Sequence, residues 1–510
     1  MEDKVKEFVD DLDKESSKTV TQKGATVYDD AGQKVLNYFF QGGAMRNRPE
    51  EDIRQLVREA YSEDAESTIL ITFYLRDIRG GQGERRMFRI AINEIAQHDE
   101  RVAHLVEEIP EYGRWDDLFS LQDTQVEEEI WDTIRYQLTK DIESDEGVSL
   151  LAKWMPSENA SSDETQDLAY DCMDALDLSP RTYRKMLSRL REEIDVVERK
   201  MSANEWDNIN YEEVPSQALL KYREAFEEHN PEGFAEFMED VESGEADMNT
   251  STLLPHQIAN KVLIQSERDD YLKNAWEELP HRENIDENVL VIADTSGSMN
   301  NANIGNVQPI AVSVGLAMFF GECLTGPFAN RFMSFSDNPR LQSITGKNIF
   351  QKMEGLRTTE WSGTTDFEAA LQLILNTAVK NGVNPDGMID KVLVISDMQF
   401  DAARASKNPT GIYSSTRQQR TKPDDKTFME KMQAKYDRQG FDLPDLVFWN
   451  VDAKNDGVPV NQADDVDALL VSGFSPAIIN PILESNEIDA KAFMDYVIGR
   501  DRYAQLKEKL

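Results

Sequence analysis

A short apolar run that ends in an aspartate and two serines constrains the fold of this chain more than any other feature. Residues 288–300 read NVLVIADTSGSMN. The run from Val289 to Ala293 shows no alternation of apolar and polar residues, which is typical of a strand buried on both faces in a parallel sheet covered by helices. The sequence therefore predicts an α/β sheet with Asp294 at the carboxyl end of one strand.

The residues after this strand have the chemistry of a metal site. Asp294, Ser296 and Ser298 occupy alternate positions, so one carboxylate and two hydroxyls leave the strand end together. Small, hard oxygen ligands of this kind suit Mg²⁺ or Mn²⁺. Because Mg²⁺ keeps several waters and is rarely enclosed by protein ligands alone, the stretch predicts a cation site that is open to a second molecule.

Two later loops extend this pattern to a known family. Asp-x-Ser-x-Ser after a buried strand resembles the first loop of the metal-ion-dependent adhesion site of von Willebrand factor A domains. Residues 362–366 (SGTTD) resemble the second loop, and residues 391–400 (KVLVISDMQF) form another buried strand that ends in an acid, like the third. The resemblance implies a doubly wound sheet that holds one metal ion.

The same resemblance implies the ligands residue by residue. It assigns Thr365 to the second loop, with Thr364 as the alternative in the neighbouring register. Met398 stands where the family usually has glycine, so the backbone of the third loop can differ from the family's. The implied ligands, some of them acting through water, are Asp294, Ser296, Ser298, Thr365 and Asp397.

A catalytic role for these serines is disfavoured. A serine nucleophile needs a base within reach, but the chain has 5 His and none of them follows Asp294. A two-metal nuclease needs a denser acidic cluster than these loops supply. We therefore expect a binding protein and not an enzyme.

Length and composition bound the remaining choices. A chain of 510 residues is too long for one ordinary core, so two or three domains are expected. The longest strongly apolar stretch, residues 310–320, is too short to span a bilayer, so no membrane partner is expected. Two cysteines and an acidic N-terminus without an apolar signal segment favour a cytoplasmic or other intracellular location. The low cysteine count and the acidic N-terminus are also compatible with assembly into a virion.

The expected domain limits follow from the pattern of helices and strands. Residues 1–27 are polar, and residues 28–280 show helical periodicity with short breaks, which favours a degenerate HEAT-like helical array. Alternating strands and helices over 285–485 predict the doubly wound, Rossmann-like A domain. Residues 486–510 are expected to form a C-terminal helix.

The helical region carries a second resemblance. Residues 74–86 (YLRDIRGGQGERR) and 112–118 (YGRWDDL) are similar to signature blocks of the TROVE superfamily. In that superfamily a helical-repeat domain precedes a von Willebrand A domain, and the similarity here is to a branch found in plants, bacteria and viruses. Proteins of its Ro type bind small structured RNAs and the ends of misfolded RNAs, so the resemblance implies an RNA partner.

Local basic clusters are the candidate RNA contacts. The chain as a whole has a net charge of −41, with 96 acidic against 55 basic residues, and charge of this sign repels nucleic acid. Arginine, however, suits phosphate through its bidentate geometry. The alternative is that these basic residues pair with nearby carboxylates and tie helices together. The candidates are Arg76, Arg79, Arg85, Arg86, Arg181, Arg184, Lys185, Arg417 and Arg420.

Two functions of different classes follow from these observations. The first is a Ro-like ribonucleoprotein component that binds RNA through its helical domain and a protein carboxylate through its metal. The second is a metal-dependent protein–protein interaction or structural component that binds no RNA. The acidity favours the second function, and the helical signature favours the first.

Overall fold

A computed structural model gives the structure of the protein. The predicted metal residues Thr364 and Thr365 and the basic residues Arg417 and Arg420 lie outside the described parts of the chain. The described residues are 18–20, 26–28, 33–144, 147–194, 196–301, 307–335, 339–357, 366–398, 428–452, 468–484 and 489–510.

The protein has a mixed α/β fold and divides into two compact units that interleave along the sequence. The sheet unit takes its described residues from Met1–Arg48, Leu254–Asp269 and His281–Val497. The helical unit takes them from Pro49–Leu253, Asp270–Pro280 and Ile498–Leu510.

The centre of the sheet unit is a mostly parallel sheet. A separate antiparallel pair joins β1 (Lys18–Val20) to β2 (Thr26–Tyr28). The main sheet has six strands in the order β5-β4-β3-β6-β7-β8, and every neighbouring pair is parallel except β4 and β5. The prediction of a parallel α/β sheet is therefore confirmed. Its strands are β3 (Val289–Asp294), β4 (Arg331–Phe335), β5 (Arg340–Ser343), β6 (Lys391–Ser396), β7 (Asp445–Asn450) and β8 (Ala468–Ser472).

Helices make up most of the remaining described structure, and none of them combines the length and apolar character that crossing a membrane requires. The helices that precede β3 are α1 (Lys34–Gly42), α2 (Glu50–Glu63), α3 (Ala65–Arg76), α4 (Arg85–Ala96), α5 (Ile109–Tyr112), α6 (Glu127–Glu143), α7 (Leu151–Trp154), α8 (Asp163–Ala175), α9 (Pro180–Glu193), α10 (Val197–Ser202), α11 (Ser216–His229), α12 (Pro231–Ser243), α13 (Pro255–Ala259) and α14 (Asp270–Glu277). Those that follow it are α15 (Ser298–Asn301), α16 (Pro309–Cys323), α17 (Ile349–Arg357), α18 (Phe367–Asn381), α19 (Phe428–Gln439), α20 (Ile479–Glu484), α21 (Ala490–Ile498) and α22 (Asp501–Lys509).

Short turns of other helical types link several of these elements. A π-helical segment, Asn260–Ile264, directly follows α13. The 3₁₀ segments are Glu100–Glu108, Trp115–Leu121, Trp206–Asn208, Tyr211–Glu213, Gly326–Phe328, Pro385–Gly387 and Pro476–Ile478.

The two central strands are buried because their residues are apolar on both faces. All six residues of β3 are buried, as expected for a strand covered on both sides. Helix α16 is apolar around its whole circumference and packs on β3, β4 and β6. The Ser313 hydroxyl on this helix donates to the Ile395 carbonyl, 3.3 Å away, in β6. The carboxyl ends of β3 and β6 are therefore held within a rigid core.

In the helical unit, a glycine turn over residues 80–83 connects α3 to α4. A Cβ on Gly81 would lie 1.9 Å from the Tyr74 carbonyl oxygen, so only glycine fits this approach. The Gln82 amide donates to that carbonyl at 3.2 Å, and the Glu84 amide donates to Leu75 at 2.7 Å. The turn is closed by backbone hydrogen bonds of its own.

The predicted domain limits differ from the observed ones at both ends. Helix α1 joins the sheet unit, because the Gly43 amide donates to the Ser472 hydroxyl at 3.0 Å and that hydroxyl donates to the Phe39 carbonyl at 3.1 Å. The single C-terminal helix expected over 486–510 is two helices, α21 and α22. The chain is extended at Arg500, which caps α22, and α22 returns to the helical unit.

Candidate metal centre

Parallel pairing of β3 with β6 brings two of the predicted acids to the same end of the sheet. The register pairs Ala293 with Ile395, so Asp294 and Ser396 are the next opposite residues and Asp397 follows directly. The Ser396 hydroxyl donates to Asp294 Oδ2 at 2.7 Å. Because both strands run in the same direction, both acids lie at the carboxyl ends, where ligands bind in open α/β sheets.

The Asp294 carboxylate is fully buried and is held by two hydrogen bonds. Its Oδ1 accepts from the Ser296 amide at 2.9 Å, and its Oδ2 accepts from Ser396. The first bond folds the chain after β3 into a tight turn, as aspartate side chains commonly do. The carboxylate is thus fixed in position before any ligand arrives.

The fold buries two acidic side chains, Asp294 and Asp397, at the same end of the sheet. Desolvation, and then the negative charge of Asp397, raises the pKa of Asp294 from 3.8 to about 6. Asp397 is itself only 2% exposed. A cation bound between the two carboxylates would remove this repulsion, so the electrostatics of the site fit a divalent metal.

The two predicted serine ligands lie together beside Asp294. Ser296 Oγ and Ser298 Oγ are 2.9 Å apart, and Ser298 begins the one-turn helix α15. The Thr295 hydroxyl, between Asp294 and Ser296 in the sequence, is buried and makes no hydrogen bond to any described residue. The turn therefore concentrates hydroxyl oxygens at the strand end.

Ser396 is a residue of the site that the sequence reasoning missed. Its hydroxyl donates to Asp294 Oδ2 and accepts from the Met398 amide at 3.1 Å. It therefore joins the first loop to the third with two hydrogen bonds. In the sequence Ser396 is the one polar side chain in the run VLVIS, but that pattern alone does not show which residue it contacts.

Met398 adopts a backbone conformation that side chains rarely accept. Its φ angle is +60°, in the left-handed region, and its side chain is 4% exposed. Left-handed backbone costs a non-glycine residue about 1–2 kcal/mol. The resembling family usually has glycine at this position, and Met398 keeps a glycine-like turn despite that cost.

Only part of the predicted second loop can be located. Thr364 and Thr365 lie outside the described residues, and the description resumes at Asp366. The Asp366 side chain caps α18 by accepting from the Ala369 amide at 2.9 Å. The second loop thus leads directly into a capped helix of the sheet unit.

The oxygen donors that converge here suit one hard cation. Two carboxylates and two hydroxyls match the preference of Mg²⁺ and Mn²⁺ for oxygen ligands, with water completing the coordination. Within the described part of the chain, no group of three or more histidine, cysteine, aspartate or glutamate side chains is placed to hold a metal.

Several candidate RNA contacts in the helical unit are paired with carboxylates. Arg76 and Asp117 form a buried ion pair of 2.7 Å, and Arg79 is 3.1 Å from Glu111. Partial burial, and then nearby arginine charges, lower the pKa of Arg85, which forms no ion pair or hydrogen bond with a described residue. Arg86 is exposed at the start of α4.

The second basic cluster lies along α9. Arg184 is 2.8 Å from Glu158, so its charge is largely compensated. Arg181 and Lys185 are exposed, and within the part of the chain that the structure describes they make no hydrogen bond or ion pair. Arg191, from the same helix, donates to the Ala152 and Met155 carbonyls, each at 2.8 Å. The solvent-facing side of α9 therefore carries two uncompensated positive charges.

Comparisons with known families match two parts of the chain. Residues 288–509 match the model of a domain of unknown function (DUF7788). Residues 170–290 match the model of another domain of unknown function (DUF2828). The first match begins at the residue before β3 and includes both acids of the candidate metal centre.

Two similar proteins cover nearly the whole length. The uncharacterized protein L728 of Acanthamoeba polyphaga mimivirus is 27% identical over 522 residues, which are 94% of this chain and 86% of that protein. The crystal structure of the RO (RSR) protein of Deinococcus radiodurans is similar with a TM-score of 0.46 and 12% identity. That similarity covers 92% of this chain and 99% of the other.

Replacing Met398 tests the backbone strain in the third loop. Met398→Gly and Met398→Ala remove nearly the same buried side chain, but only glycine accepts the left-handed turn freely. We expect the glycine variant to be more stable than the alanine variant by about 0.5–1 kcal/mol in urea denaturation. The matched control is Met432, which is buried in the interior of α19. There the order should reverse, because glycine costs about 1 kcal/mol relative to alanine in a helix. Equal stability of the two Met398 variants would contradict the strain.

Stability as a function of pH tests the burial of Asp294. Its raised pKa means that the folded, metal-free chain binds more protons than the unfolded chain between pH 3.8 and about 6. The contribution of Asp294 to the free energy of unfolding is therefore greatest below about pH 4. It is lost as the pH rises through about 6. In EDTA, the stability of Asp294→Asn relative to wild type should rise by about 1–3 kcal/mol between pH 4.5 and 7.5. A difference that does not vary with pH would refute the assignment.

Proposed function

We propose that this protein is a non-enzymatic binding protein whose sheet unit docks a partner through one divalent cation. The observation that carries the proposal is the convergence of Asp294 and Asp397 at the carboxyl ends of adjacent parallel strands, where the Ser396 hydroxyl of β6 donates to the Asp294 carboxylate of β3. The loop resemblance to von Willebrand factor A domains supports the same assignment.

The chain's own residues would hold Mg²⁺ or Mn²⁺ in distinct ways. Asp294, Ser296 and Ser298 would be direct ligands, and Thr365 and Asp397 would bind directly or through water. Ser396 would orient the Asp294 carboxylate, since outer hydrogen bonds commonly position metal ligands. When bound, the cation would supply a Lewis-acidic position for an oxygen of the partner.

The charge of the site explains why the partner's oxygen should be anionic. A divalent cation balances the two buried carboxylates, and the hydroxyls add no charge. A carboxylate from a protein, or a phosphate, can then approach without facing two uncompensated acids. Without the cation, an acidic chain with a net charge of −41 would repel such a partner. Partner binding is therefore expected to depend strictly on the metal.

Binding, and not catalysis, remains the proposal for this centre. A nucleophilic serine would need a general base, and the chain has no histidine after Asp294. His256 lies in the sheet unit but is 2% exposed, and burial lowers its pKa well below the ordinary value. A two-metal mechanism would need more bridging carboxylates than the two at this strand edge.

RNA binding by the helical unit is the second candidate function. The observation that favours it is the exposed side of α9, where Arg181 and Lys185 carry positive charge without an acidic partner among the described residues. Phosphate contacts supply most of the affinity for RNA, and arginine suits phosphate geometry. The TROVE resemblance, with its degenerate HEAT-like array, supports a small structured RNA or an RNA end as the partner.

Metal binding is the direct test of the first proposal. Mg²⁺ at about 100 times its dissociation constant should stabilise the wild-type chain by about 2.7 kcal/mol. Asp397→Ala and Ser298→Ala should lose this stabilisation and the calorimetric heat of Mg²⁺ binding. Asp386→Asn is the matched control, because Asp386 is exposed in the loop before β6, at the opposite end of the sheet. Unchanged Mg²⁺ binding in both site variants would refute the proposed centre.

Salt dependence tests RNA binding separately from the metal. A fluorescent RNA hairpin should bind the full chain in EDTA with an affinity that falls as salt rises. In the double variant Arg181→Ala/Lys185→Ala, the slope of log K against log salt should become shallower by roughly 0.7 for each lost phosphate contact.

Arg135→Ala is the control for that measurement. Arg135 is on α6 of the same unit and forms an ion pair with Asp132, so its loss should leave the slope unchanged. If the hairpin fails to bind at low salt, RNA binding is excluded and metal-dependent docking stands alone. Equal slopes for wild type and the double variant would refute the assignment to α9.

A further inference from the structure

An apolar cavity lies in the sheet unit between α18 and one end of the sheet. Its volume is about 690 Å³, within the range of about 300–1,000 Å³ that is typical of ligand sites. The register places Met333 opposite Leu341 and beside Ile292, so these residues share one face of the sheet. The side chains that form its walls include Leu290, Met333, Leu341, Leu373, Ile374 and Ala378.

This cavity is separate from the candidate metal centre. It is lined by residues 286–288, which precede β3, and by residues 387–389, which precede β6. Those are the amino ends of the two strands, whereas Asp294 and Asp397 are at the carboxyl ends. Among the described residues, none of those assigned to the candidate metal centre lines the cavity, so the two sites use different side chains.

Two leucines that line the cavity are largely exposed to solvent. Leu341 is 48% exposed and Leu373 is 40% exposed. Covering apolar surface contributes about 25 cal/mol per Å², so a partner that buries both side chains gains affinity. Exposed apolar surface next to a concave site commonly marks an interaction site.

The strand beside the cavity has backbone groups free to pair. The Ile344 amide donates to the Asn330 carbonyl at 2.9 Å, which sets the alternation of the antiparallel β4–β5 ladder. With this alternation, Arg340 and Gln342 direct their backbone groups toward β4. Leu341 and Ser343 direct theirs away from it, and these groups have no hydrogen-bond partner among the described residues. The edge of β5 can therefore accept one more strand.

Charges at the rim of the cavity indicate the polarity of the occupant. Asp286 and Glu287 are exposed at one side, and Arg340 is exposed at β5. Two acids at the rim of an already acidic chain favour a basic residue in the partner. The short length of β5 and the charge of Arg340 work against pairing of β5 with a second copy of itself.

From these observations we infer that the β5 edge and the adjacent cavity form a docking site for an extended peptide of a protein partner. The peptide adds a strand to β5 through the Leu341 and Ser343 backbone groups. One apolar side chain of the peptide enters the cavity against Leu373, and a basic side chain two residues away, on the same face of the added strand, is directed toward Asp286 and Glu287. Strand addition supplies affinity, and the cavity supplies specificity. This site does not depend on the metal or on RNA.

Selection from a random decapeptide library on phage, with the full chain in EDTA, tests the inference. The expected consensus has an apolar anchor two positions from a lysine or arginine, so that both side chains lie on one face of the strand. A fluorescent synthetic peptide of that sequence should bind wild type, and binding should weaken at least tenfold in Leu373→Asp. Val379→Asp is the matched control, because Val379 is 45% exposed on the same helix but does not line the cavity. It should leave the affinity unchanged.

Ser343→Pro tests the strand pairing itself. Proline removes the Ser343 amide, which points away from β4, so the β4–β5 ladder keeps its hydrogen bonds. Binding of the peptide should again weaken at least tenfold, whereas Ser343→Ala should bind as wild type does. The thermal unfolding temperature of each variant checks that the fold is retained.

Three results would overturn the inference. The first is a selection that yields no consensus, or a consensus peptide that binds Leu373→Asp and Ser343→Pro as tightly as wild type. The second is a dimer in light scattering that Ser343→Pro dissociates, because the occupant is then a second copy of the chain. The third is an apolar dye that binds wild type but not Leu373→Asp, together with a selection that yields no peptide. The site would then take a small molecule.

Discussion

The candidate metal centre depends on the parallel pairing of β3 with β6. Pairing Ala293 with Ile395 sets Asp294 beside Ser396 and lets one hydroxyl hold the first loop to the third. A slip of one residue would turn every side chain of β6 to the other face. The apolar faces of both strands oppose such a slip, because each packs on helices such as α16. The core therefore fixes the geometry of a site that contains almost no apolar atoms.

The same core creates an electrostatic cost at the carboxyl ends of β3 and β6. Burial strengthens the repulsion between Asp294 and Asp397 and raises the pKa of Asp294. Folded proteins keep an unfavourable arrangement of charges where the surrounding structure holds it in place and the function depends on it. Here the hydrogen bonds from Ser396 and the Ser296 amide hold the carboxylate in place. The arrangement is costly without a cation, and the proposed metal would relieve that cost.

Much of the sheet could be predicted from sequence, because buried parallel strands appear as continuous apolar runs. Both acids could be located, since each follows such a run. Ser396 could not be singled out, because its role depends on which strand lies beside β6. Strand β5 was missed because its residues, RLQS, have no apolar pattern. The pairing of Arg76 with Asp117 also depends on tertiary contacts across 41 residues, which local charge counts cannot show.

Helix α18 connects the two ends of the sheet, yet the structure gives no mechanism for coupling them. Its start is capped by Asp366, next to the second loop, and its end is capped by Gly382 at a φ of 62°. The Tyr436 hydroxyl also donates to the Leu371 carbonyl at 2.9 Å, at the middle of the helix. Coupling between two sites requires an element with two arrangements of different affinity. The structure describes one arrangement of α18, and on that arrangement a partner at the metal and a peptide at β5 would bind as independent ligands.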